Sequence, residues 1–76
     1  MNLSMVGIPL FTEVALTEDV PAVGLVRGQV GAVVEELAPG VYEVEFSDDD
    51  GQAYAMVTLK SAQLLRLHHK PIHEAS

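Results

Sequence analysis

Turn-forming residues recur so often in this chain that no helix of ordinary length fits between them. Pro9, Pro21 with Gly24, Gly28, Pro39 with Gly40, Asp50 with Gly51, and Pro71 cut it into short pieces. None of these combines sufficient length with a 3.6-residue apolar period. The pieces alternate instead. In YEVEF, residues 42–46, Tyr42, Val44 and Phe46 fall on one side and Glu43 and Glu45 on the other, the signature of an antiparallel strand with one buried face. TEVALT (12–17) alternates with Val14 and Leu16 inward, VGAVVEEL (30–37) is rich in β-branched residues, and AYAMVTL (53–59) follows the Asp-Gly turn. LLRL (64–67) closes the series after KSAQ, which fits one helical turn. Five short strands with glycine-rich turns predict an all-β chain forming a small five-stranded closed barrel. Closure removes the strand edges that so apolar a sequence could hardly leave open.

The 76 residues make one domain: a barrel core at about 11–67, an N-terminal arm at 1–10 and a C-terminal tail at 68–76. A chain of this size hides only roughly 60% of its unfolded surface, yet 49% of its residues are hydrophobic. Part of that apolar surface is therefore expected outside, where contiguous patches mark interaction sites. The formal charge of −7 opposes binding to phosphate backbones or anionic lipid, which demand positive charge. Absence of cysteine excludes disulfides and thiolate metal sites. No apolar run approaches the roughly 20 residues of a membrane helix. The N-terminal MNLSMVGIPLF lacks the basic start of a signal peptide. A cytoplasmic location is expected, with no membrane association and no cofactor.

The segments VALTEDVPAVGLVRGQVGAVVEEL and YEVEFSDDDGQAYAMVTLKSAQLLRL carry a resemblance. Through Gly28, Gly31, Val33, Val34, Glu35, the strand at 42–46, Thr58 and Leu59, the chain resembles an uncharacterised family of small bacterial proteins. The likeness spans about residues 11–67. It implies an SH3-like barrel and no established activity, with an accessory or inhibitory binding role as the function it favours.

Several stretches invite a chemical reading. RGQVGAVVEEL (27–37) has the glycines of a ribosomal-type RNA-binding barrel without the charge: Arg27 is the only cation before Lys60, and Glu35 and Glu36 follow at once. Four basic residues and four aromatics, Phe11, Tyr42, Phe46 and Tyr54, supply too few phosphate contacts and stacking platforms. SDDDGQAY fails as a calcium loop. With Gly51 at position 6, Asp48 and Asp50 stand at positions 3 and 5, but Phe46 and Val57 occupy positions 1 and 12, where ligands are needed. It reads as a hairpin turn in which Asp50 and Gly51 both accept positive φ. His68, His69 and His73 lie in a tail that Pro71 keeps from being helical, so a resident metal site is not expected there. No serine has a histidine and acid at a recognisable spacing. Glu43 and Glu45, roughly 7 Å apart on one strand face, read as a solvated acidic face. No catalytic residue is expected, and the chain is read as non-enzymatic.

What remains is apolar loop and arm. The expected protein-binding surface combines Val20, Val23, Leu25 and Val26 with an acidic rim of Glu18, Asp19, Glu43 and Glu45, supported by Glu13, Asp48, Asp49 and Asp50. Such a rim favours a basic protein partner. Leu3, Met5, Val6, Ile8 and Leu10 are the expected contacts of a homo-oligomer. The alternative is a small nucleic-acid-associated barrel, for which Arg27, Lys60 and Arg66 would have to converge. Fluorescence anisotropy with labelled RNA and DNA at physiological salt is expected to stay flat into the range of about tens of micromolar. Submicromolar, saturable binding abolished by Arg27→Ala would reverse the electrostatic argument.

Overall fold

The computed structural model describes residues 7–69. Five strands form one antiparallel sheet: β1 (Glu13–Leu16), β2 (Val30–Ala38), β3 (Val41–Ser47), β4 (Ala53–Lys60) and β5 (Leu64–Arg66). Their order across the sheet is β4-β3-β2-β1-β5. The all-β fold and its five strands agree with the sequence reading to within two residues at each end. Closure is the difference. No ladder joins β4 to β5; a 3-10 turn, Ser61–Gln63, spans from one to the other. That turn is held to the loop after β1, with Thr17 N–H donating to Gln63 O (2.9 Å) and Thr17 Oγ1 to Ala62 O (2.9 Å). No helix among the described residues is long and apolar enough to cross a membrane.

Alternation decides which side chains meet. Val14 and Leu16 from β1, Val33 from β2, Tyr42, Val44 and Phe46 from β3, Leu59 from β4 and Leu64 from β5 all turn to one side, and Leu25 joins them from the long loop. These residues form the single core, and no polar or charged side chain among the described residues is buried with them. The hydroxyl of Tyr42 reaches the rim, where it accepts the Ile8 N–H at 3.0 Å, so the ring is buried without stranding its polar tip. Register shifts at Val34, at Leu37 and beside Tyr54 bend β2 and β4 around this core, as extra residues in a ladder do.

The turns follow their residues, with one correction. Pro39 and Gly40 alone join β2 to β3, Gly40 taking φ +77° as the second central position requires. The β3–β4 hairpin is not a two-residue Asp-Gly turn. Among Asp49, Asp50 and Gly51, only Gly51 has positive φ, at +81°. Asp48 sets this longer loop: its Oδ1 accepts the amides of Asp50 (2.9 Å) and Gln52 (3.0 Å), and its carbonyl accepts that of Gly51 (3.0 Å). A side chain competing for backbone donors in this way reshapes a turn.

Gly31 answers to a different need. It is buried on β2 with ordinary backbone geometry, but a Cβ there would lie 2.8 Å from Glu45 O and 2.9 Å from both Phe46 Cδ2 and Val44 Cγ1. β2 can approach β3 this closely only with hydrogen at that position. Gly31→Ala is therefore expected to destabilise the fold by about 1–3 kcal/mol through overpacking, measured by urea denaturation. An unchanged midpoint would show that Phe46 can yield.

Candidate functional site: the acidic outer face

The same alternation that fills the core sends carboxylates outward. Cross-strand pairing places Glu13, Ala32, Glu45 and Met56 in one row across β1, β2, β3 and β4. A parallel row holds Leu65, Ala15 and Val30. Between them opens a cleft of about 280 Å³ lined by Glu13, Glu45 and Asp48, with Val30, Ala32 and Ser47 completing its walls. Three carboxylate-bearing residues thus share the cleft with the backbone of Gly31 and the small apolar side chains Val30 and Ala32 on the solvent side of the sheet. His69 Nε2 stands 2.7 Å from Glu13 Oε1, both side chains exposed. It is the one contact between a basic side chain and a carboxylate among the described residues, so neither Glu45 nor Asp48 has a basic side chain at contact distance there. Glu43 leans the other way, its Oε1 accepting from Thr58 Oγ1 on β4 at 2.7 Å.

The expected loop surface is divided by the structure. Val20 and Leu25 exchange two backbone hydrogen bonds (2.8 and 3.2 Å) around the 3-10 turn Pro21–Val23, so the loop is an ordered hairpin and not irregular chain. Leu25 is 3% exposed and belongs to the core; it leaves the binding surface that its apolar neighbours were expected to share. Val20 is half-buried against that core. Val23 and Val26 remain exposed. Asp19 and Glu18 are partly spoken for: Asp19 Oδ1 accepts the Arg27 N–H (2.8 Å), and Glu18 Oε2 accepts from Gln63 Nε2 (3.2 Å). A polar bridge anchors the far end of the loop, where Gln29 Nε2 donates to Tyr54 Oη (3.0 Å) and Gln29 Oε1 accepts the Val26 N–H (2.6 Å). The cations Arg27, Lys60 and Arg66 sit on three different elements: the loop, the end of β4 and the end of β5.

Of the oligomer contacts expected in the arm, Leu3, Met5 and Val6 lie outside the described residues. Ile8 is half-buried, packed against the protein's own core. Leu10 is exposed. Beside it is Phe11, which the sequence offered only as one of four aromatics: it is 75% exposed and held at φ +66°. Phe11 N–H donates to Val33 O, and Thr12 N–H to Pro9 O at 3.3 Å, which fixes a tight turn with an aromatic where glycine is usual. No sequence signal marks this position, because phenylalanine has no preference for that conformation. His68 and His69 are exposed and His73 lies outside the described residues; no cluster of three metal-ligating side chains occurs among the described residues.

A left-handed phenylalanine with little burial carries strain that a residue without Cβ relieves. Phe11→Gly is expected to be more stable than Phe11→Ala by about 1 kcal/mol, read from paired thermal melts. Equal stability of the two variants would mean that the turn relaxes when the ring is removed.

No curated protein and no solved structure matches the chain. A family model does, over residues 10–66, a span that begins at the strained turn and ends with β5. With well over half its length matched, the chain belongs to the family of DUF4926, a domain of unknown function.

Proposed function

We propose that this protein is a non-enzymatic interaction module that takes a basic segment of a partner protein on the outer face of its sheet, in an accessory or inhibitory role. The observation that supports this reading is the cleft in which Glu13, Glu45 and Asp48 border the apolar surface of Val30 and Ala32. An arginine or lysine side chain has the matching construction. Its aliphatic stem covers apolar floor while its charged head meets carboxylate oxygens. Exposed pairs of this kind contribute only about 0.2–1 kcal/mol each, so affinity requires several basic residues along the partner. Val26 and Val23, exposed in the loop that leads into β2 at Val30, extend the surface with apolar contact. The net charge of −7 acts at longer range, raising the rate at which a basic partner arrives.

An oligoarginine peptide serves as the probe. Its titration is expected to shift the amide resonances of Val30, Ala32 and Glu45, with affinity falling as salt rises. Glu45→Gln combined with Glu13→Gln is expected to weaken binding by about tenfold, the loss of roughly 1.4 kcal/mol. Shifts confined to other parts of the sheet, or a double variant that binds as the native chain does, would overturn the assignment.

A further inference from the structure

The two edges of the sheet differ. β5 has three residues, whereas β4 has eight and, among the described residues, no neighbour beyond β3. Ser61 N–H donates to Gly40 O at 2.9 Å, which makes 40 and 61 a hydrogen-bonded pair. Pairing alternates along an antiparallel ladder, so Leu59 with Tyr42 and Val57 with Val44 are the next such pairs. The amides and carbonyls of the intervening residues, Lys60, Thr58 and Met56, therefore point away from β3. The Lys60 N–H is met by Gln63 Oε1 at 2.9 Å. Met56 and Thr58 present their backbone groups outward with no partner among the described residues.

The core is also thin along this edge. On β3 the inward residues Tyr42, Val44 and Phe46 are at most 1% exposed, whereas Ala55 and Val57, which also turn inward on β4, are only half-buried. Met56, on the outer side, and Tyr54, which the bulge turns toward Phe46, are each about half exposed. Edge strands are commonly protected by proline, short length or inward charge. β4 has none of these; its bulge at Tyr54 and its one charge, Lys60, lie toward its two ends, so residues 55–59 are left without such protection.

We infer that β4 is the dimer interface of this protein, pairing antiparallel with β4 of a second copy about a two-fold axis through Val57. The charge distribution selects a second copy. In a chain of net charge −7, β1, β2 and β3 carry Glu13, Glu35, Glu36, Glu43 and Glu45, while β4 carries no carboxylate. It is the one long strand along which two such copies can meet without setting carboxylates opposite each other. The axis places Met56 opposite Thr58 of the partner subunit, so the outward donors and acceptors of both strands are satisfied together. It also sets Val57 against its counterpart and covers the half-exposed inner side of the edge. A contact of one strand length is small, so the dimer is expected to be weak and concentration-dependent.

Sedimentation of the full chain from about 1 to 200 µM tests this, with amide hydrogen exchange measured at both ends of the range. A monomer–dimer equilibrium is expected, in which the Met56 and Thr58 amides become protected as concentration rises. Met56→Lys places a charge on an exposed side chain and is expected to weaken the dimer by at least about tenfold while leaving the melting temperature of the monomer in place. Thr58→Pro removes a donor that the β3 ladder does not use, and is expected to abolish dimerisation. If that proline impairs folding, Met56→Lys still decides the question. A chain that stays monomeric at the highest concentration, or a dimer indifferent to Met56→Lys, would overturn the inference. Neither result bears on the oligoarginine titration, which reads the cleft on β1, β2 and β3.

Discussion

The packing of Tyr42, Val44 and Phe46 with Val14, Val33 and Leu59 is the contact on which the other features depend, because β3 lies between β2 and β4 and its inner face is completely covered. Removing any of the three would leave a void that neighbours on both sides could not close, and large-to-small changes at such sites are costly. The close approach of β2 at Gly31 follows from this packing. Phe46 occupies the space that a side chain at position 31 would need. So does the position of Ile8, whose amide supplies the hydrogen bond that lets Tyr42 be buried.

Filling one face of the sheet sorts charge as a by-product. Strict alternation puts Glu43 and Glu45 outside because Tyr42, Val44 and Phe46 are inside, and pairing then brings Glu13 into the same row as Glu45. The carboxylates of the strands collect on β1, β2 and β3, while the strand cations, Lys60 and Arg66, stand on the two edges. An acidic outer face and carboxylate-free edges are thus one consequence of how five strands share a core.

The long connections are ordered by polar contacts more than by burial. Between β1 and β2, the Val20–Leu25 bridge, Asp19 and Gln29 supply partners for backbone groups that would otherwise compete with the sheet. At the start of β4, the bulge turns Tyr54 so that its ring lies 6.4 Å from that of Phe46 and its hydroxyl reaches Gln29. That contact does at one end of the sheet what the Ser61–Gln63 turn does at the other. Together they hold the sheet curled without a hydrogen-bonded seam.

Local patterning was sufficient for the strands and for their faces, since a period of two and the positions of Pro39, Gly40 and Gly51 express constraints that act within a few residues. From the same pattern came the outward direction of Glu43 and Glu45 and the inward direction of Val14 and Leu16. Contacts between distant segments decided the rest. Leu25 resembles its exposed neighbours Val23 and Val26 in sequence, and only the bridge to Val20 turns it into the core. Phe11 holds its unusual backbone angle in the turn before β1 because Val33, on β2, accepts its amide. The length of the loop at Asp49, Asp50 and Gly51 was set by the carboxylate of Asp48, and the exposure of β4 by the strand order. Periodicity states which side of a strand is apolar; which strands become neighbours, and which edge is left without one, is a property of the assembled sheet.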